Sequence, residues 1–99
     1  MEQAQAFPSN KTMQHAVRYA MKQDKPIMMD YYQDSFNKKA FFAEEKNTKR
    51  KFLIKENQEE YTSDIISMGK SDNDYIFITE NSIYICNSNM PKTMFEPSN

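Results

Sequence analysis

The stretch DYIFITENSIYIC, residues 74–86, decides the fold. Tyr75, Phe77 and Thr79 alternate with Ile76 and Ile78, and Ile83 and Ile85 alternate with Tyr84 and Cys86. A period of two is the signature of a strand, because successive side chains point to opposite faces of a sheet. Glu80-Asn81 forms a two-residue corner between the two runs, and Asn tolerates the left-handed backbone that such corners favour. Both faces of this hairpin are apolar. It is therefore expected at the centre of the fold, covered on one side by a helix and on the other by the opposite wall of a curled sheet.

Working upstream, SDND (71–74) is a turn built from side chains that bond their own backbone. TSDIISMGK (62–70) is a strand with Ile66 and Met68 on one face, and Gly69, the only glycine, is expected to mark a bulge or the strand end. ENQEE (56–60) is a polar loop. KRKFLIK (49–55) is a strand with Phe52 and Ile54 on one face, joined through Asn47-Thr48 to the strand KKAFFAEEK (38–46). IMMDYY (27–32) is the first strand and QDSFN (33–37) a turn. Before it, Met13, Ala16, Val17, Ala20 and Met21 form one apolar stripe at helical spacing. Ser9 or Asn10 caps that helix, Lys22 and Lys25 suit its C-terminal dipole, and Pro26 stops it, which places the helix over 11–23. The fold class expected is mainly β (α+β): an N-terminal helix packed on a six-stranded antiparallel meander curled into a small barrel. The expected organisation is a flexible arm over 1–9, one domain over 10–87 and a flexible tail over 88–99, with Met94 and Phe95 as the tail's only anchors.

A chain of 99 residues allows one domain with a modest core. No run approaches the roughly 18–20 apolar residues that span a bilayer, and MEQAQAFPSNK lacks the basic start and apolar centre of a signal peptide. The expectation is a cytoplasmic protein that is not secreted and does not insert in a membrane. The single cysteine, Cys86, excludes an internal disulfide and sits in an apolar strand pattern, which reads as a buried apolar residue. The net charge is −1, yet residues 11–55 carry 11 basic and 5 acidic groups and residues 56–99 carry 2 basic and 8 acidic ones. Balances of +6 and −6 in the two halves mark a binding face or ends that pair between copies.

Catalytic patterns are missing. His15 is the only histidine, with Arg18 and Tyr19 one turn on, which is neither a metal set nor a triad. One glycine excludes glycine-rich phosphate loops. Glu44 and Glu45 point to opposite faces of a strand, Glu59-Glu60 falls in a loop, and Asp72-Asn73-Asp74 lacks the spacing of a calcium loop. The expectation is no catalytic residue, no metal, no cofactor and no small-molecule substrate. The best charged cluster is Lys38, Lys39, Lys46, Lys49, Arg50 and Lys51, interleaved with Phe41, Phe42 and Phe52. Cations for phosphates and rings for stacking are what small barrels use on nucleic acid, so Lys38, Lys39, Phe41, Phe42, Lys49, Arg50 and Lys51 are the candidate nucleic-acid contacts. Against this, the favoured reading takes the rings as core and the lysines as a solvated edge that discourages pairing. Tyrosine gives large contact area at low entropic cost, and eight methionines give adaptable packing. Tyr31, Tyr32, Tyr61, Met94 and Phe95 are therefore the candidate protein interface, and a protein partner or self-association is the leading expectation.

KPIMMDYY (25–32), and the run from Lys51 to Cys86 with its pieces EEYTSDI and YIFITENSIYI, resemble short uncharacterised proteins encoded by nucleocytoplasmic large DNA viruses. The resemblance covers about residues 27–86 and carries no functional motif. It implies a small viral protein, a minor structural component of the particle, in the infected cell or the virion. The function expected is thus a non-enzymatic interaction or structural protein, with the nucleic-acid-binding module as the alternative.

Overall fold

The structure, a computed structural model, describes residues 6–96. The outer parts of the two expected arms, residues 1–5 and 97–99, lie outside the described residues. Helix α1 spans Asn10–Gln23, and Ser9 is its N-cap, accepting the Thr12 N–H on its Oγ at 3.1 Å. Asp24 closes it in the left-handed conformation at φ 54°, ahead of Pro26. The predicted apolar stripe is only half used. Ala16 is fully buried, with Met13 and Ala20 beside it, while Val17 and Met21 stay exposed. Alanines on the contact face let the helix lie close to the sheet, and a close approach narrows the buried stripe.

Seven strands follow, in two sheets. They are β1 (Ile27–Met28), β2 (Ala40–Glu45), β3 (Lys51–Lys55), β4 (Ile65–Ser71), β5 (Asp74–Thr79), β6 (Ile83–Asn87) and β7 (Lys92–Phe95), and a short helix α2 (Tyr32–Phe36) lies between β1 and β2. The four-stranded sheet has the order β1-β6-β5-β4 and the three-stranded sheet the order β3-β2-β7. This corrects the six-stranded closed meander in three ways. Two of the pairings, β1 with β6 and β2 with β7, are parallel. The segment 27–32 is strand only at Ile27–Met28, and Tyr32 opens α2 instead of ending a strand. The ladder does not run from β3 to β4. The outer edge of β3 is occupied by the loop that follows it, through Lys55 N–H to the Glu60 carbonyl, Thr62 N–H to the Leu53 carbonyl and Leu53 N–H to Thr62 Oγ1. With that edge satisfied, the sheet has no reason to close.

The opening hairpin is central and covered on both sides, as its two apolar faces require. Ile76, Ile78, Ile83 and Ile85 pack with Ala16 of α1 and Tyr32 of α2. On the other face Phe77 and Cys86 pack with Tyr31, Ala40, Leu53 and Met90, so the three-stranded sheet supplies the second cover. The corner is two residues long, with Thr79 N–H bonded to the Ser82 carbonyl at 2.9 Å. Asn81 is not left-handed as expected. Thr79 Oγ1 accepts the Asn81 and Ser82 N–H groups and holds the corner through its side chain. Gly69 pairs in register with Ile76, and the irregularity of β4 lies between Ile65 and Ser67. The tail also departs from expectation, since Lys92–Phe95 is a strand hydrogen-bonded to β2.

Candidate interaction surface

Strand alternation sorts the β2–β3 hairpin into two faces. Ala40, Phe42 and Leu53 point into the core, where the Phe42 ring lies 5.7 Å from Phe77. Phe41, Ala43, Phe52 and Ile54 point the other way and gather with Phe95 of β7. The Phe95 ring meets Phe52 edge-on at 5.4 Å, and the Tyr61 ring lies 5.9 Å from Phe52 on the other side. Ala43, Phe52 and Ile54 are buried beneath these rings, while Tyr61 is 65% exposed. Every apolar member of the cluster belongs to β2, β3, β7 or the loop at Tyr61. It is a third hydrophobic cluster, built on the outside of the molecule.

The rim of this face is polar. Arg50 binds Asp64 with its Nε 3.0 Å from both carboxylate oxygens and its Nη2 2.9 Å from one of them. That bond and charge hold the Arg50 guanidinium above its ordinary pKa. Arg50, Glu45, Phe52, Tyr61, Thr62 and Phe95 line a hollow of about 310 Å³. Its floor is aromatic and its wall carries one cation and one anion, which suits a protein side chain better than a phosphate.

The predicted nucleic-acid set does not form one patch. Lys38 and Lys39 precede β2, while Lys49, Arg50 and Lys51 stand at its far end, beside Glu44 and Glu45. A six-residue strand puts about 20 Å between the two groups. Phe42 faces the core, Phe41 packs half-buried on the outer cluster, and Arg50 is bound by Asp64. Lys46 pairs with Glu96 at 3.1 Å.

The predicted protein interface splits as well. Tyr31 and Tyr32 are core residues, 2% and 3% exposed, so neither can offer contact surface. Tyr32 donates from its hydroxyl to Asp74 Oδ1. Tyr31 lies edge-on to Tyr84 at 5.4 Å and beneath Lys55, whose Nζ sits 4.8 Å from the ring centroid. Its hydroxyl has no hydrogen-bond partner among the described residues. Burial raises its pKa, helped by the charge of Glu60. Lys55 is held by Asp34 at 3.2 Å and Glu60 at 3.4 Å, and these outweigh its burial and raise its pKa. Tyr61 and Phe95 do lie together, on either side of Phe52 on the outer face of the three-stranded sheet, whereas Met94 alternates to the other face.

Cys86 is fully buried, and burial pushes its thiol up to about 12. His15 Nδ1 lies 3.1 Å from Ser71 Oγ. Among the described residues no group of three or more His, Cys, Asp or Glu side chains could hold a metal ion, and no helix is long and apolar enough to cross a membrane.

Sequence reasoning missed two residues that hold this arrangement. Met90 is buried in the core between the sheets and aligns the chain for β7. Asp74, read as part of a turn, is 2% exposed and accepts from Ser9 N–H at 3.1 Å, Thr12 Oγ1 at 2.7 Å and the Tyr32 hydroxyl. It ties the start of α1 and α2 to the central hairpin. Its partners lie 42 to 65 residues away in sequence, so no local signal could have found them. Comparison of the chain with protein-family models, with curated proteins and with solved structures gives no match.

Proposed function

We propose that this chain is a non-enzymatic interaction protein that docks another protein surface on the outer face of the three-stranded sheet. The observation that carries the reading is the external aromatic cluster, with Phe52 and Ile54 buried under Phe41, Phe95 and the exposed Tyr61. Aromatic anchors in a shallow hollow, ringed by a polar rim, are the anatomy of a protein-binding site. The non-enzymatic part rests on composition: one histidine, one cysteine that is buried, and one glycine. The viral-particle setting rests on the family resemblance alone. The nucleic-acid alternative has less support, because its cations stand at opposite ends of β2 and its best ring, Phe42, faces inward.

The test places a photo-cross-linking amino acid at Tyr61, and separately at Lys22 on the exposed side of α1, in extracts of the native source. The expected result is a discrete protein adduct from position 61 and none from position 22. Equal adducts from both positions would count against the site. So would micromolar binding of a labelled oligonucleotide that weakens steeply with salt and is lost in Lys49→Glu/Lys51→Glu.

A further inference from the structure

We infer that the protein partner of this face includes a second copy of the same chain, joined edge to edge through β7 in an antiparallel two-fold register centred on Met94. The inference rests on the reading of the three-stranded sheet as the interaction surface and adds the identity of the partner.

The argument begins with which edges are free. The outer edge of β3 is occupied at Leu53 and Lys55 by its own loop, and β1 is two residues long. β4 is longer, but it is bulged between Ile65 and Ser67, and bulges spoil an edge for pairing. β7 is regular and carries neither defence. Its inner side bonds β2 in a parallel ladder bracketed by Phe42 N–H to the Pro91 carbonyl and Lys46 N–H to the Phe95 carbonyl. Alternation along the strand therefore turns the N–H and C=O groups of Lys92 and Met94 outward, toward the free side, and extending the strand by one residue does the same for Glu96, which follows its end.

Those three outward residues are self-complementary. In an antiparallel pair centred on Met94, Met94 faces Met94 of the second copy and Lys92 faces Glu96, twice by symmetry. Each of the three pairs has its N–H and C=O groups aimed at the partner, so the ladder closes without an orphan. A slip of one residue opposes outward groups to inward ones. A slip of two keeps the bonds but removes the charge pairing. Among the described residues Lys92 has no ion-pair partner within its own chain, and Glu96 has only the exposed pair with Lys46. The best charge register of β4 would instead oppose Lys70 to Asp64, a carboxylate already held by Arg50.

Side chains agree with this register. Thr93 and Phe95 share the face of the outer cluster, so pairing sets Phe95 beside Thr93 of the second copy and joins the two aromatic faces into one. Met94, 56% exposed, meets its counterpart on the opposite face, beside a hollow of about 460 Å³ lined by Phe42, Glu44, Lys51, Lys92 and Thr93. The three-stranded sheet becomes a six-stranded sheet with a continuous aromatic surface, which is the form in which it would dock further partners.

The experiment uses the purified chain. Sedimentation from micromolar to submillimolar concentration is expected to show a monomer–dimer equilibrium. Lys92→Glu and Glu96→Lys each place two like-charge pairs in the register, and each weakens dimerisation about tenfold or more. Mixing the two variants restores association, because the mixed dimer opposes unlike charges at both positions. Met94→Cys is linked by a short bis-maleimide, whereas Lys92→Cys is not, since in this register its copies lie about 13 Å apart along the strands. Cys86 is buried and does not compete. A chain that stays monomeric throughout would overturn the inference, as would a dimer indifferent to both charge reversals with no link at Met94→Cys. If the chain is monomeric while the Tyr61 probe still captures another protein, the dimer fails and the interaction reading stands. If the probe captures nothing while the charge swap behaves as described, the dimer stands without a docking role.

Discussion

The two sheets are built from the same kind of alternating apolar strand, yet they differ in what covers them. Both faces of the central β5–β6 hairpin meet partners from their own chain, helices on one side and the three-stranded sheet on the other, while the edge strand β4 leaves Ile66 and Met68 exposed. The three-stranded sheet has one covered face and one that closes only on its own rings. Strand alternation specifies that a face is apolar; it does not specify which surface will meet it. At the β5–β6 hairpin the answer lies inside the chain; on the outer face of the second sheet the same pattern meets only its own rings among the described residues.

The sharpest way to break this comparison is to make the same truncation on both sides of it. Phe77→Ala removes a ring with no exposed surface from between the sheets, and about 3–5 kcal/mol of stability should go with it. Phe95→Ala removes a half-buried ring from the rim of the outer cluster and should cost about 1 kcal/mol. Urea unfolding at constant m-value measures both. Equal losses would mean that the outer cluster is ordinary core, and the docking reading would lose its basis.

The helical cover can be tested through Asp74. Asp74→Ala strands the Ser9 N–H and the Tyr32 hydroxyl proton, while the Thr12 hydroxyl keeps the Ser71 carbonyl at 2.9 Å, and this should cost about 3 kcal/mol. Because the loss is at the seam between α1, α2 and the hairpin, amide exchange should accelerate in α1 before β2 and β3. Uniform acceleration through both sheets would show that the two regions are not separable in this sense.

Much of this division was legible in the sequence, and the part that was not has a physical reason. The helix, its Ser9 cap and the central hairpin follow from spacing over a few residues, and local spacing is what a sequence displays. Both parallel pairings escaped notice. Parallel partners are distant in sequence, and β1 and β7 are only two and four residues long, too short to establish a period. Tyr31 and Tyr32 looked like contact surface because tyrosine is amphipathic, whereas Tyr32 is drawn inside by a carboxylate 42 residues away. Phe52 and Ile54 were correctly placed on one face, but the sequence could not say that this face points outward. Opposed cations at the two ends of β2 likewise read as one cluster until the strand between them is drawn at full length.

Tyr31 offers a smaller effect with an unusual sign. Its buried hydroxyl has no partner among the described residues, so Tyr31→Phe should be neutral or stabilising by about 1 kcal/mol. The alkaline side of the stability curve provides a second readout. Burial raises Tyr31, lifts Tyr32 from 10.0 to about 12 and lifts Cys86 from 9.0 to about 12. Between these limits the native state keeps protons that the unfolded chain has lost, so stability is full below pH 9 and falls as pH rises toward about 12. Removing the Tyr31 hydroxyl should make that fall shallower. A melting temperature that stays level from pH 8.5 to 11, or a Tyr31→Phe variant that is clearly less stable, would contradict the burial of this group.

The smallest effect on stability is the one that separates the two faces by function. Tyr61 is 65% exposed and touches the fold mainly through Phe52, so Tyr61→Ser should change stability by no more than about 0.5 kcal/mol. An exposed ring this size, set over an aromatic floor beside a bound Arg50–Asp64 pair, has far more surface to bury against a partner than it buries within the chain. The loss should therefore appear as reduced photo-adduct formation from a probe at Thr93, which shares the outer face with Phe95, with the melting temperature unchanged. If Tyr61→Ser instead lowers stability by as much as Phe95→Ala and leaves the Thr93 adduct intact, the ring is structural, and the outer face is closed by its own residues.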